Sequence, residues 1–314
     1  MKRSLARNVL SVGLGTAATL VFSWGLSGCG GAATESGDAV VVTEPGSTPP
    51  AAGTPAAPAG GAPTPAATPA PAATPAPAAA TKAEGWGTLK GTIVFGGNPP
   101  TQGVLQEKGK ADKDPQVCAK DAPILSERLV VDGGTKGVKN VLVYLPKPTA
   151  VNEEVKSAAS KAEVVFDQVK CVFEPHVLGL MAGARVTLKS SDPVNHNVNA
   201  KLQRNSPFNS VIAGGQTSDF TPTSGERGPV PVTCDIHPWM LAYWLVLDNP
   251  YFAVTDDKGN FEIKNVPAGT QKLVVWQESA AFVTPATGED VTVKANEVTT
   301  KDFTIDPARV KPAK

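Results

Sequence analysis

Cys234-Asp235-Ile236-His237-Pro238-Trp239-Met240 places a thiol, an imidazole and a thioether within seven residues. Leu241 to Leu247 follows without a break and reads as a strongly apolar strand, and Pro229 to Thr233 reads as the strand that leads in. The seven residues are therefore a loop between two strands, and that reading decides the fold. His196 lies upstream, after the candidate strand Ala184 to Lys189, in the stretch Asp192-Pro193-Val194-Asn195-His196-Asn197. That stretch reads as a second loop at the same end. The chain has three histidines, and two of them fall in this constellation.

Working outward, short strand signals recur between turn-forming clusters. Thr88 to Phe95 alternates and ends in Gly96-Gly97-Asn98-Pro99-Pro100. Val138 to Leu145, Glu163 to Phe166 and Cys171 to Val177 read as further strands, and Asn152 to Lys161 is the one segment with helical propensity. This pattern predicts an all-β chain built as an antiparallel β-sandwich. After Tyr251 the chain continues with Phe252 to Thr255, the turn Asp256-Asp257-Lys258-Gly259, Phe261 to Ile263, Leu273 to Trp276, and late strands around Val291 and Phe303. So short a region buries too little surface to stand alone and is expected to pack on the main domain, with Thr88 to Phe95 among its partners. The paired aspartates lack the spacing of a calcium loop and read as a hairpin turn.

The first 84 residues differ in kind. Lys2, Arg3 and Arg7 precede an apolar run from Val9 to Leu26, and Leu26-Ser27-Gly28-Cys29 ends it. A basic start, a hydrophobic stretch and small residues describe a secretory leader over residues 1–28. The junction resembles the bacterial lipobox, which implies Cys29 as the lipid attachment point; an uncleaved membrane anchor is the other reading. Removing that leader takes three positive charges from a formal net of zero, leaving about −3. Residues 29–84 collapse to Ala, Pro, Thr and Gly, with eleven prolines between Pro45 and Pro77. Such a segment cannot offset its conformational entropy and is expected to be a disordered, extended tether. The expected division is a leader (1–28), a linker (29–84), a metal-binding sandwich (85–250), a smaller β region (251–306) and a disordered tail (307–314). No basic patch with interleaved aromatics is present, which argues against nucleic acid as a partner.

Copper that cycles between its two oxidation states needs donors acceptable to both. Thiolate and thioether suit Cu(I), imidazole suits both, and two imidazoles with one thiolate and a weak axial methionine form the one-electron copper set. His196, Cys234, His237 and Met240 supply it. The same donors would also accept zinc, and Cys234 with a histidine could form a nucleophilic pair, which would leave Met240 and His196 unused. His176, beside Glu174 and near Cys171, reads as structural. Of four cysteines, Cys118 and Cys171 remain; an exported chain permits a disulfide between them, and two buried free thiols are the alternative. Trp239, beside His237, is expected to help form an apolar rim around an exposed histidine edge.

Gly183-Ala184-Arg185-Val186-Thr187-Leu188-Lys189-Ser190-Ser191-Asp192, the triplet His196-Asn197-Val198 and the Cys234 to Met240 loop together resemble the cupredoxin superfamily, with loop spacing similar to the amicyanin type. Cys171 to Val177 and Tyr251 to Asp256 are similar to exported bacterial cupredoxin-like proteins described as methylamine-utilisation-like. Gly259-Asn260-Phe261 and Val266-Pro267-Ala268-Gly269 resemble carboxypeptidase regulatory-like, transthyretin-type sandwiches. The resemblance implies a Greek-key sandwich holding one type-1 copper on His196, Cys234, His237 and Met240. It also implies that Asn197 hydrogen-bonds across to the cysteine loop. Asn199 stands where such relatives often have another histidine, and Gln277 follows Trp276 where they often have Trp-His-Glu. The expected activity is single-electron transfer rather than catalysis. The expected partner is an exported redox protein such as a cytochrome or a dehydrogenase, with the membrane touched only through the N-terminal lipid. A copper-delivery protein is one alternative, and a surface-anchored binding module with a structural metal is another.

Overall fold

The computed structural model describes residues 85–311. The expected leader, Cys29 and the linker lie outside the described residues. Within them the regular structure is almost all strand, with one short α-helix, Glu153–Ala159, capped by Asn152, whose side chain accepts from the amides of Glu154 and Val155.

Four sheets form two sandwiches. In the first, one sheet runs in the order Phe208–Ile212, His196–Ala200, Val230–Thr233, Leu241–Leu247, Val177–Met181. The facing sheet runs Thr217–Phe220, Arg185–Ser190, Glu163–Val169, Val172–Glu174. Most ladders are antiparallel, while Leu241–Leu247 with Val177–Met181 and Glu163–Val169 with Arg185–Ser190 are parallel. In the second sandwich, Trp86–Phe95 lies antiparallel to Asn260–Pro267 and parallel to Val298–Thr300 and Phe303–Ile305. Its other sheet joins Phe252–Val254, Leu142–Tyr144, Gly269–Gln277 and Ala281–Phe282, with Glu289–Val293 on Gly269–Gln277.

Side-chain alternation explains how the two sandwiches join. Successive strand residues point to opposite faces. Along Leu241–Leu247, Ala242, Trp244 and Val246 enter the first sandwich's core. Tyr243, Leu245 and Leu247 face the other way, into a layer shared with Leu142, Tyr144, Val274 and Trp276. On the far side of that layer, Val141, Val143, Leu145, Leu273 and Val275 enter the second core. A strand buried on both faces has no use for polar alternation, which accounts for its unbroken apolar run. Tyr243 and Trp276 meet across the layer with ring centroids 4.8 Å apart.

The expected boundary at residue 250 must be redrawn. Trp86–Phe95 and Leu142–Tyr144 belong to the second sandwich because their ladder partners come from residues 252–305. The strand expected over 171–177 is broken at Pro175, which has no amide hydrogen to donate, into Val172–Glu174 and Val177–Met181. The expected disordered tail is ordered as far as residue 311. Pro307–Arg309 forms a 3₁₀ turn capped by Asp306, and Arg309 donates to the carbonyls of Val283 and Phe282. The Asp256–Gly259 turn has the expected form. Asp256 Oδ1 accepts from the amides of Lys258 and Asn260, and Gly259 at φ +78° leaves no room for a Cβ, which would fall 2.3 Å from the Ile93 carbonyl oxygen.

Candidate metal centre

The register of the first sandwich builds the site. Thr233 lies opposite Asn199 in the antiparallel ladder between Val230–Thr233 and His196–Ala200, so continuing that register by two residues brings the cysteine loop over Asn197. His196 is the first residue of its strand, not a loop residue as expected, and pairs with Ile212 on its other side. The loop is closed by two backbone bonds, Cys234 N to Met240 O at 3.3 Å and Met240 N to His237 O at 2.9 Å.

Donor atoms of His196, Cys234 and His237 lie within 4.8 Å of one another. His196 and His237 are 0% exposed, Cys234 2% and Met240 1%, and the two imidazole rings are 4.5 Å apart. His237 Nδ1 is 3.8 Å from Cys234 Sγ, and the His237 amide donates to the same sulfur at 3.4 Å. His196 Nδ1 is buried with no hydrogen-bond partner. An orphaned ring nitrogen in a closed site is costly unless something else occupies its lone pair. Nitrogen, sulfur and nitrogen converging on one point are the donors a copper ion takes, so these residues fit the group their spacing implies.

Asn197 joins the strand of His196 to the cysteine loop. Its Oδ1 accepts from the amides of Asp235 at 2.7 Å and Ile236 at 3.3 Å, and the Cys234 thiol group lies 3.4 Å from it. Its backbone amide points at Cys234 Sγ at 3.4 Å. Asp235 collects the carboxamides of Asn197, Asn199 and Asn209, which hold its carboxyl below the usual carboxylate range, Asn199 most of all. Asn199 thus has a partner within the loop. Gln277 donates to the Arg128 carbonyl and accepts from the amides of Ser279 and Ala280.

Two carboxylates complete the surroundings, and sequence reasoning had not weighed either. Asp192 Oδ2 lies 2.9 Å from His196 Nε2, and Asp114 Oδ2 lies 2.9 Å from His237 Nε2. The spacing of Asp192, four residues before His196 in the same stretch, was a signal within reach. Asp114, from a distant loop, offered none. Because Asp114 covers it, His237 has no exposed edge, contrary to expectation. Trp239 packs edge-on against His237, with centroids 5.2 Å apart, and its indole donates to the Cys171 carbonyl at 3.0 Å. From the other side, a cavity of about 310 Å³ reaches the ligand loop, lined by Pro238, Trp239, Met240, His176, Arg128 and Glu278 among others.

The electrostatics favour a preformed ion pair. Burial alone would raise the Cys234 thiol, but the two neighbouring imidazoles and the amides of Asn197 and His237 bring it down to about 6. Burial would lower His196, yet Asp192 and Cys234 raise it to about 9. Asp192, which burial would raise, is drawn below its ordinary value by His196 and by the amides of Cys171 and Lys170.

Cys118 and Cys171 form a disulfide, with Cα atoms 5.3 Å apart. His176 is bonded into the second sandwich: its Nε2 is 2.8 Å from Glu278 Oε2, and Glu278 Oε1 is 3.2 Å from Arg128 Nε.

No protein-family profile matches the chain, and no curated protein matches it. Among solved structures it is similar in part to a copper-containing nitrite reductase from Thermus scotoductus SA-01. That match has 24% identity, covers 27% of this chain and 22% of the reductase, and has a TM-score of 0.25. A purple cupredoxin from Nitrosopumilus maritimus matches with 21% identity over 27% of this chain and 99% of its own, TM-score 0.23. Amicyanin from Paracoccus versutus matches with 20% identity over 34% of this chain and 98% of its own, TM-score 0.24.

Proposed function

We propose that the first sandwich holds a single copper ion of the type-1 class and that the chain carries single electrons between exported redox partners. The observation that carries this reading is the buried convergence of His196, Cys234 and His237 donors within 4.8 Å, with His196 Nδ1 left unpartnered. Bound copper would supply a one-electron couple. Cys234 supplies a thiolate already favoured near neutral pH, His196 and His237 present Nδ1, and Met240 is the candidate weak fourth donor. Asn197 fixes the sulfur by bonding both its own strand and the loop. Full burial keeps water from the donors, a property of an electron carrier more than of a protein that hands its metal on. The reading is of a carrier and not an enzyme. Its partner would be an exported cytochrome or dehydrogenase, and Cys29 would tether it by lipid to a membrane outside the cytoplasm.

The test is to add Cu(II) to the purified protein and record visible absorption and EPR. The expected result is an intense thiolate-to-copper band with narrow hyperfine splitting, lost in Cys234→Ser. A colourless protein that retains zinc against Cu(II) would overturn the reading. Copper lost on every reduction cycle would turn it toward delivery.

A further inference from the structure

Both candidate imidazoles are held from behind, and both holds run to one covalent link. Asp192 Oδ1 accepts from the Lys170 amide at 2.7 Å and its Oδ2 from the Cys171 amide at 2.8 Å. Asp114 begins the turn that ends at Cys118, its carbonyl accepting from the amides of Val117 and Cys118 at 2.8 Å each. The carboxylate on His196 is therefore tied to one half of the disulfide, and the carboxylate on His237 to the other. The ligand loop is bonded to the same bridge through Trp239 and the Cys171 carbonyl. Sulfur atoms of the bridge and a His237 ring nitrogen lie within 4.8 Å of each other.

We propose that the Cys118–Cys171 disulfide, Asp114 and Asp192 form a positioning clamp that fixes both imidazoles by Nε2, turns Nδ1 of each toward Cys234 and favours the oxidised metal. The inference rests on the metal-centre reading above. A carboxylate bonded to the far nitrogen of a ligand imidazole fixes the ring's tautomer and makes its near nitrogen a stronger donor. Negative charge beside the centre also stabilises the more highly charged oxidation state, more so where water is excluded. The Asp192 side chain is 7% exposed against 35% for Asp114, so its share of that effect is the larger. Sheet register accounts for where Cα atoms sit, but not for the ring rotation that brings both Nε2 atoms onto carboxylates.

The experiment compares the full chain with Asp114→Asn, Asp114→Ala and the double variant Cys118→Ser/Cys171→Ser. First, ¹⁵N NMR of the metal-free protein reads the tautomer of the neutral His237 ring. The clamp requires the proton on Nε2 in the wild type and in Asp114→Asn, whose side-chain oxygen still accepts, and a mixture of tautomers in Asp114→Ala. Second, Cu(II) transfer to EDTA and the reduction potential are measured on the loaded proteins. Asp114→Ala and the double serine variant should lose copper affinity by about 10- to 100-fold, as loss of such supporting bonds does. Asp114→Asn should keep most of its affinity and shift its potential upward; each tenfold loss of Cu(II) over Cu(I) affinity raises it by about 59 mV. An Asp114→Ala protein with wild-type tautomer, retention and potential overturns the clamp. A double serine variant with those wild-type properties removes the disulfide from it. If the wild type takes up no copper, the functional reading fails, and the metal-free tautomer comparison still decides whether Asp114 positions His237.

Discussion

The two sandwiches are built from the same kind of strand and bury the same kind of aliphatic side chain, yet among the described residues only one gathers histidine, cysteine and aspartate together in its core. The first closes over His196, His237, Cys234 and Asp192. The second closes over Leu89, Ile93, Val143, Tyr251, Phe261, Val275 and Ile305, and its buried polar side chains, such as Gln271, Gln277 and Thr255, are neutral amides and hydroxyls. A buried charge is tolerated only when paired and hydrogen-bonded. The first sandwich meets that condition with a dense net of bonds from Asn197, Asp114, Asp192 and loop amides; the second needs no such net. One interior is organised around polar, hydrogen-bonded groups, the other around apolar packing.

The largest effect is expected from emptying the first core. Trp244 is fully buried, edge-on to Phe166 at 5.1 Å and stacked on Phe220 at 5.8 Å. Trp244→Ala should cost about 3–5 kcal/mol in denaturant unfolding and release the metal with it. A smaller loss would mean the metal net, and not the apolar core, holds that sandwich together.

Acidity sharpens the contrast next. Metal binding must displace the His196 proton below about 9 and the Cys234 proton below about 6. Affinity for the metal should therefore rise about tenfold per pH unit from about 6 to about 9, level off above, and fall more steeply below about 6. Competition titrations at several pH values check this. In the metal-free protein, the thiolate ultraviolet absorbance should appear with a midpoint near 6 and be absent in Cys234→Ser. Across the middle of that range the folded pair binds the same number of protons as a neutral imidazole and a thiol do in the unfolded chain. The pair therefore adds little slope to stability there.

Glu278 ties the halves together. Glu278→Ala leaves His176 and Arg128 without their buried partner and should cost about 1–3 kcal/mol. The visible and EPR spectra of the copper form should be unchanged, because His176 is not among the proposed donors. A change in the spectra would make the second sandwich part of the centre. At the small end, Val211 is 64% exposed on an edge strand, and Val211→Ser should move stability by no more than about 0.5 kcal/mol.

What the sequence made legible follows from what local pattern can carry. The Cys234 to Met240 loop and its flanking strands were readable because spacing and alternation are local properties. Trp86–Phe95 was readable as a strand, but alternation names a face and not a neighbour, so its pairing with residues more than 160 positions away was only partly anticipated. His196–Ala200 escaped notice as a strand because Asn197 and Asn199 interrupt its apolar character; those amides are polar because they bond the cysteine loop. Asp114 was beyond reach, since its contact with His237 spans 123 residues and depends on a loop folded over the site.

Leu241–Leu247 carries a practical consequence. It begins where the cysteine loop ends and is covered on both sides, so the outer face of the first sandwich is itself an interior. A chain cut after Pro250 would turn Tyr243, Leu245, Leu247 and Val177 to water as one contiguous apolar face. Gel filtration of that fragment should register self-association. The smallest piece in which the centre can be studied as a well-behaved monomer therefore has to include the strands on both sides of it in the chain.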